Sequence, residues 1–278
     1  MSDTREDRGR LYVVGTPIGN VDDLSVRARD VLAKADVIAA EDTRHTRGLL
    51  SRIGVESRLI AYHEHNEAER AAALLVELEH GKSVALVSDA GTPLISDPGW
   101  RLVSAARAAG IAVVPVPGPC AAIAALSGAG LPTDHFVFEG FLPRGDNARG
   151  ERLQELKREQ RTIVFYEAVH RIATTLSAIS DAFGGERRAA LARELTKTHE
   201  QISTGTLAEL IERLGSSIPL LGEFSIVVAG AAAAAPDEVE ARRVYALLAT
   251  ELSPDRALKL AAAITGVSRN VLYRLTRT

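Results

Sequence analysis

Apolar residues in this chain come in short runs separated by stretches of helical periodicity. Leu11–Val14, Val37–Ala40, Leu59–Ala61, Val84–Val87 and Ile111–Val116 are such runs. Between the first two, Leu24, Ala28, Val31, Leu32 and Ala35 recur at helical spacing, and Ala68, Ala71, Leu75 and Leu78 do so between the third and fourth. Asp97-Pro98 reads as a helix start, a capping side chain followed by proline in the first turn. Short strands that are apolar on both faces and alternate with amphipathic helices predict a mainly parallel sheet covered on both sides.

Pro115, Pro117 and Pro119 then punctuate the chain, and Gly128 to Pro132 follow a short Ala-rich helix. A boundary between two α/β domains is expected here. The second region is less regular. Its predicted strands are His135–Glu139, Thr162–Tyr166, Ala189–Arg193, Gln201–Gly205 and Phe224–Val228, with helices over 149–160, 169–183 and 206–214, which reads as a mixed sheet. Ala231–Pro236 resembles a linker. Beyond it, Val244, Leu247, Leu248 and Leu252 predict one helix. Ser253 and Pro254 open a second, carrying Leu258, Ala261 and Ala262. After Gly266, Ser268 caps a third with Val271, Leu272 and Leu275, a helix-turn-helix pattern. The expected organisation is an N-terminal α/β domain over 10–118, a second over 119–232 and a small helical domain over 237–278.

With 278 residues, 46% hydrophobic and 25% charged, the chain has the composition of a folded globular protein. No apolar run approaches the roughly 18 residues that span a bilayer, and the polar start MSDTREDRGR is unlike a secretory signal. A cytoplasmic protein without membrane contact is expected. The lone Cys120 cannot form an internal disulfide or a multi-thiolate metal site. The formal net charge of −3 excludes a general attraction to nucleic acid, so any such contact needs a local patch. One stands in the tail: from Arg256 to the end there are Lys and Arg residues but no acids, with Arg269, Asn270, Tyr273 and Arg274 opening the third helix. It reads either as a nucleic-acid surface or as the outer face of a helical cap.

Chemistry-bearing residues cluster at predicted strand ends, where open α/β sheets bind ligands. Gly15-Thr16-Pro17-Ile18-Gly19-Asn20 follows the first strand, but it is neither a dinucleotide fingerprint nor a P-loop. Glu41-Asp42-Thr43-Arg44-His45-Thr46-Arg47 follows the second, and Tyr62-His63-Glu64-His65-Asn66-Glu67 the third; neighbouring loops would pool these groups in one cleft. None has metal-ligand spacing, so no metal is expected. Ser88 to Gly99 form a long turn of small residues that would expose backbone donors and acceptors to a flat ligand such as an adenine ring. Cys120, in Pro117-Gly118-Pro119-Cys120, has no base recognisable nearby and suits a tight helix start better than a nucleophile.

Taken in order, GTPIGN at 15–20, AEDTRHTR at 40–47, YHEHNE at 62–67, SDAGTPLISDPG at 88–99, PGPCAA at 117–122, GFLPR at 140–144, FYEAVHR at 165–171 and RELTKTHE at 193–200 closely resemble the ribosomal RNA small subunit methyltransferase I family, part of the tetrapyrrole-methylase-like class of S-adenosylmethionine (SAM) methyltransferases. The resemblance covers nearly the whole chain. It implies two α/β domains with SAM in the cleft between them, methylation of the ribose 2′-hydroxyl of a cytidine in the decoding region of 16S rRNA, free or in the small ribosomal subunit, and a homodimer. Carried over, Pro17, the 89–95 turn (Asp89, Ala90, Gly91, Thr92, Ile95), Cys120 and Ala121 would line the SAM site from the first domain, and Tyr166, Ala192 and Ser225 from the second. Val169 and Leu221 depart from the family pattern, where proline and a basic residue are expected.

Methyl transfer from a sulfonium is an in-line displacement in which the protein supplies position and electrostatics. A ribose hydroxyl is a poor nucleophile near neutral pH, so a base or a nearby cation would help. The candidates are Glu41, Asp42, His63, Glu64, Lys197, His199 and Glu200, with Lys197 beside Glu200 as one pair in which a desolvated lysine titrates near neutrality. Arg44, Arg47 and Arg144 present forked donors suited to phosphate, with His45 among them and Arg269 and Arg274 in the tail. Two other readings remain: a tetrapyrrole-precursor C-methyltransferase, and a DNA-binding regulator whose α/β part is a ligand sensor. The helical tail and the His/Arg-rich loops weigh against the first, and the acid/base-rich cleft against the second.

Overall fold

Strands β1 (Arg10–Val14), β2 (Val37–Ala40), β3 (Leu59–Ala61), β4 (Val84–Val87) and β5 (Ala112–Val116) form a parallel sheet in the order β3-β2-β4-β1-β5. The computed structural model describes residues 9–232 and 238–276. Successive strand residues point to opposite faces, so Leu11, Val37, Ala39, Val84 and Leu86 meet α3 (Glu67–Glu79) and α4 (Trp100–Ala108) on one side. Val14, Ile38, Ala40, Ala85 and Val87 meet α1 (Val26–Lys34) and α2 (Thr43–Ile53) on the other. This two-sided burial is why the strands read as continuous apolar runs. β4 and β1 are neighbours, yet their connections leave through helices on opposite faces. That is the switch point at which an open α/β sheet presents a crevice.

The turn after β4 departs from the expected helix start at Asp97. α4 begins at Trp100 and its N-cap position is Gly99, at φ 140° with no side-chain cap. The acceptor is Glu67, at the start of α3: its Oε1 takes the backbone N–H of Gly99 at 3.0 Å and of Arg101 at 3.4 Å. Residues 88–99 thereby become a strap rather than a helix turn. Leu94 and Ser96 both hold φ above +60°, a conformation that side chains disfavour and surrounding contacts must enforce.

α5 (Ala121–Gly128) leads into a second sheet of β6 (Phe136–Phe141), β7 (Thr162–Ala168), β8 (Arg188–Arg193), β9 (Gln201–Thr206) and β10 (Glu223–Val228), ordered β6-β7-β10-β8-β9. Only β6 and β7 pair in parallel; the others are antiparallel. Ile163, Phe165, Leu191 and Ile226 face α6 (Asp146–Leu156), α7 (Ile172–Phe183) and α8 (Leu207–Arg213). Val164, Ala190, Ala192 and Val227 face α5 and Ile18. Both sheets belong to one compact unit ending at Gly230.

The second unit holds α9 (Glu238–Ala249), α10 (Pro254–Thr265) and α11 (Arg269–Leu275) around Ala241, Leu258, Ala261, Val267 and Leu272. Gly266 ends α10 in the left-handed region and the Ser268 hydroxyl caps α11, whereas Ser253 occupies the N-cap position of α10 without a side-chain bond. Most of the linker expected at 231–236 lies outside the described residues. Among the described residues no helix is long and apolar enough to cross a membrane.

Candidate functional site

The turns after β1, β2, β4 and β5 emerge side by side at the carboxyl edge of the first sheet. Thr16 and Gly91 form a two-hydrogen-bond bridge, with Thr16 N donating to Gly91 O at 2.8 Å and Gly91 N to Thr16 O at 3.1 Å. The Thr92 hydroxyl donates to Pro119 O at 2.9 Å. Gly15 and Gly118 pack backbone to backbone; a Cβ on Gly15 would stand 2.7 Å from the Gly118 Cα. These contacts draw the strap over the crevice and leave beneath it a cavity of about 350 Å³, within the usual range for a small-molecule site.

Ten of the eleven residues assigned above to the cofactor line this cavity: Asp89, Ala90, Gly91, Thr92, Ile95, Cys120, Ala121, Tyr166, Ala192 and Ser225. The eleventh, Pro17, lines a second cavity of about 370 Å³ next to it. Cys120 is the N-cap residue of α5, and its Sγ lies 3.9 Å from the Tyr166 hydroxyl, which accepts the Ala122 N–H at 2.9 Å. The first cavity also contains Asp97 and Glu41. Burial, then the charges of Glu41 and Asp89, push Asp97 up to about 7 against the opposing hydrogen bond from Ser88. Glu41 is raised by burial and by the Asp89 charge.

The second cavity shares Ile18, Asp89, Ala90 and Glu223 with the first, so the two are contiguous. Arg44, His45, Gly48, Leu49 and Arg52 form one of its walls, and they project from one face of α2. Arg44 and His45 are therefore in the first turns of a helix, not in a loop. Asp42 is the N-cap residue, taking the Arg44 N–H at 2.8 Å, and the Arg44 guanidinium grips the same carboxylate at 3.2 and 2.9 Å, holding it down at about 2. Arg47 and Arg144 are exposed and line neither cavity. His63 and Glu64 line neither, but both act electrostatically on Glu41, Glu64 raising its proton affinity and His63 lowering it. Arg269 and Arg274 lie on α11 in the second unit.

The pairing expected between Lys197 and Glu200 is not formed. Lys197 Nζ donates to Glu194 at 2.8 Å and to Glu223 at 3.0 Å, while Glu200 takes the Thr196 N–H at 2.6 Å. Burial alone would depress the ammonium, but the two carboxylates outweigh it and its pKa lies above the ordinary lysine value. A lysine held this way is a fixed cation, not a base poised near neutrality. Its side chain crosses Gly19, where a Cβ would stand 2.4 Å from Lys197 Cγ, and Thr196 Oγ1 accepts the Asn20 N–H at 3.1 Å. The first-sheet and second-sheet walls are thus clasped beside the second cavity. Asp97, Gly48 and Arg52 were not singled out as site residues from the sequence; the i, i+4, i+8 spacing of Arg44, Gly48 and Arg52 after β2 carried the signal for the last two.

Residues 10–211 match the family model of Tetrapyrrole (Corrin/Porphyrin) Methylases, and residues 235–276 match that of the RsmI C-terminal HTH domain. The ribosomal RNA small subunit methyltransferase I of Pseudomonas aeruginosa is 54% identical over 270 residues, covering 96% of each chain. The chain belongs to the ribosomal RNA small subunit methyltransferase I family. Its namesake from Xylella fastidiosa is likewise 54% identical, over 95% of this chain and 98% of that one. Among solved structures, a uroporphyrin-III-C-methyltransferase from Thermus thermophilus superposes with a TM-score of 0.55 at 26% identity, covering 80% of this chain and 94% of that one. Membership makes the chain a methyltransferase whose methyl donor is SAM, and it removes the sensor-regulator reading.

The first cavity fits that donor. The carboxyl groups of Glu41, Asp89, Asp97, Glu167 and Glu223 are in its lining, which suits a molecule that carries a sulfonium and an ammonium, and small residues of the strap give its flat ring access to backbone groups. Gly91, at φ 84°, leaves room that a Cβ would take, 3.3 Å from Ile18.

Proposed function

We propose that this member of the family methylates the ribose 2′-hydroxyl of a cytidine in the decoding region of 16S rRNA, in the cytoplasm, as a homodimer. The observation that carries the reading is the pair of contiguous cavities: one suited to SAM, and a second walled by cations that opens onto it through Asp89. Bound SAM supplies an electrophilic methyl group on a positively charged sulfur. The protein has to hold the acceptor hydroxyl in line with it and take the hydroxyl proton as the oxygen–carbon bond forms.

Asp89 and Glu223 are the two carboxylates common to both cavities; Glu223 is paired with Lys197, and Asp89 is the proton acceptor in this reading. Its Oδ1 takes the Asp42 N–H at 2.9 Å, which fixes its rotamer. Glu41 stands beside it, with Oε2 3.5 Å from the Asp89 N–H, and its raised proton affinity makes it the second acceptor. Lys197, kept charged by Glu194 and Glu223, supplies positive potential near the acceptor strand. Arg44, His45 and Arg47 from α2, Arg144, and the basic face of α11 bind the RNA phosphates.

The test is transfer of labelled methyl from SAM to small ribosomal subunits that lack the modification, followed by digestion to nucleosides. Label in 2′-O-methylcytidine is expected. Label in a methylated base, or none in RNA, refutes the proposal.

A further inference from the structure

We infer that the second cavity receives one RNA nucleotide extruded from its strand, with the phosphate held on the α2 face by Arg44 and Arg52 and the ribose turned toward Asp89. The inference rests on the reading of the chain as an RNA ribose methyltransferase and adds a place and a posture for the target.

Size is the first ground. The second cavity is about as large as the one that takes the cofactor, room for a single nucleotide but not for a helical segment. A ribose inside an A-form helix presents its 2′-hydroxyl in a wide, shallow groove, flanked by its own strand. A hydroxyl held in that way does not reach Asp89 on the lining of a recess of this size. Enzymes that work on a nucleotide inside such a pocket take it out of the stack.

The second ground is the α2 face. Arg44, His45, Gly48, Leu49 and Arg52 line the cavity together. Arg44 is partly committed to Asp42, whereas Arg52 makes no hydrogen bond or ion pair among the described residues. A planar guanidinium without a partner, on the wall of a recess, suits a phosphate oxygen pair.

Gly48 is the third. It sits in the middle of α2 in ordinary helical conformation, where glycine weakens a helix and neither a turn nor a positive φ calls for it. A Cβ there would meet nothing within 4 Å, so close packing does not require it either. What the missing side chain does is leave the wall of the cavity open between Arg44 and Arg52. Pro17, Ile18 and Val21, which follow β1 and line the same cavity, offer an apolar surface for the base.

The experiment compares wild type, Gly48→Phe, Arg52→Ala and Arg52→Lys in two measurements: affinity for S-adenosylhomocysteine by calorimetry, and methyl transfer to small ribosomal subunits. Gly48→Phe places a ring in the cavity. It should keep S-adenosylhomocysteine affinity within about twofold, which also reports an intact fold, and lose transfer by 100-fold or more. Arg52→Ala should raise KM for the subunit about tenfold with kcat changed less than threefold, and Arg52→Lys should recover part of that loss. Gly48→Phe that transfers at the wild-type rate overturns the inference, as does a variant that keeps the wild-type circular dichroism spectrum and cooperative thermal unfolding but loses both measurements together, because the two cavities would then not be separate subsites. If Gly48→Phe does not fold, the Arg52 pair decides: an unchanged KM overturns the inference. Wild type that binds S-adenosylhomocysteine but labels no RNA refutes the function itself, an outcome distinct from failure of the variants alone.

Discussion

Glu67 gives the sharpest quantitative expectation. Its carboxylate is buried between α3 and the strap, where Oε1 receives the Gly99 N–H at 3.0 Å, the Tyr62 hydroxyl at 3.1 Å and the Arg101 N–H at 3.4 Å. Glu67→Ala removes the acceptor that caps α4, a loss worth about 0.5–2 kcal/mol. It also strands the Tyr62 hydroxyl on a side chain only 1% exposed, at about 1–3 kcal/mol. The ion pair with Arg101, whose side chain is half exposed, adds little. The sum is about 1.5–5 kcal/mol, and for a unit of this size each kcal/mol lowers Tm by about 2–4 °C. Glu67→Gln keeps an acceptor in the same place and should cost about 1 kcal/mol or less.

Urea unfolding of the three proteins measures the difference, and SAM affinity measured beside it reports the strap. Because Gly99 ends the strap that roofs the first cavity, which fits SAM, affinity should fall in the order wild type, Gln, Ala. Equal unfolding free energies for the Ala and Gln variants, or an Ala variant within 1 kcal/mol of wild type, would refute the capping role.

Three further outcomes follow from the site. Lys197→Ala should raise KM for the subunit while leaving the shape of the kcat pH profile between pH 6 and 9 unchanged, since a lysine held above its ordinary pKa does not titrate there; loss of a limb of that profile would restore it as a base. Asp97, at about 7, is mostly protonated at pH 6 and ionised at pH 8, so the preference for cationic SAM over S-adenosylhomocysteine should strengthen as pH rises, and Asp97→Asn should flatten that rise; calorimetry at both pH values checks it. Arg269→Ala combined with Arg274→Ala should weaken RNA binding and reduce its salt dependence while SAM affinity stays within about twofold; equal loss of both would make α11 a structural cap.

What the chain reveals before it is folded follows from the range of the interactions involved. The parallel strands are legible because burial on both faces leaves no polar positions, and the loops at their carboxyl ends converge by topology alone. Partners set by tertiary contacts are not legible. Asp97-Pro98 has the local form of a helix start, yet the cap arrives from Glu67 across the sheet edge, and Asp97 is left to face the cofactor cavity. Lys197 makes the same point within seven residues of chain. Glu194 and Glu200 stand three positions before and three after it, so spacing alone cannot choose between them. The choice is made by backbone: Glu194 and Thr196 both take positive φ, of 50° and 65°. The chain turns so that Glu194 meets the ammonium and Glu200 reaches back to the Thr196 N–H. Gly222, at φ 84°, leaves room on the far side, where any Cβ would stand 2.2 Å from the Glu194 carboxylate. A strained turn, one glycine and a second carboxylate from β10 therefore convert a residue with the sequence context of a base into a permanent cation on the lining of the second cavity.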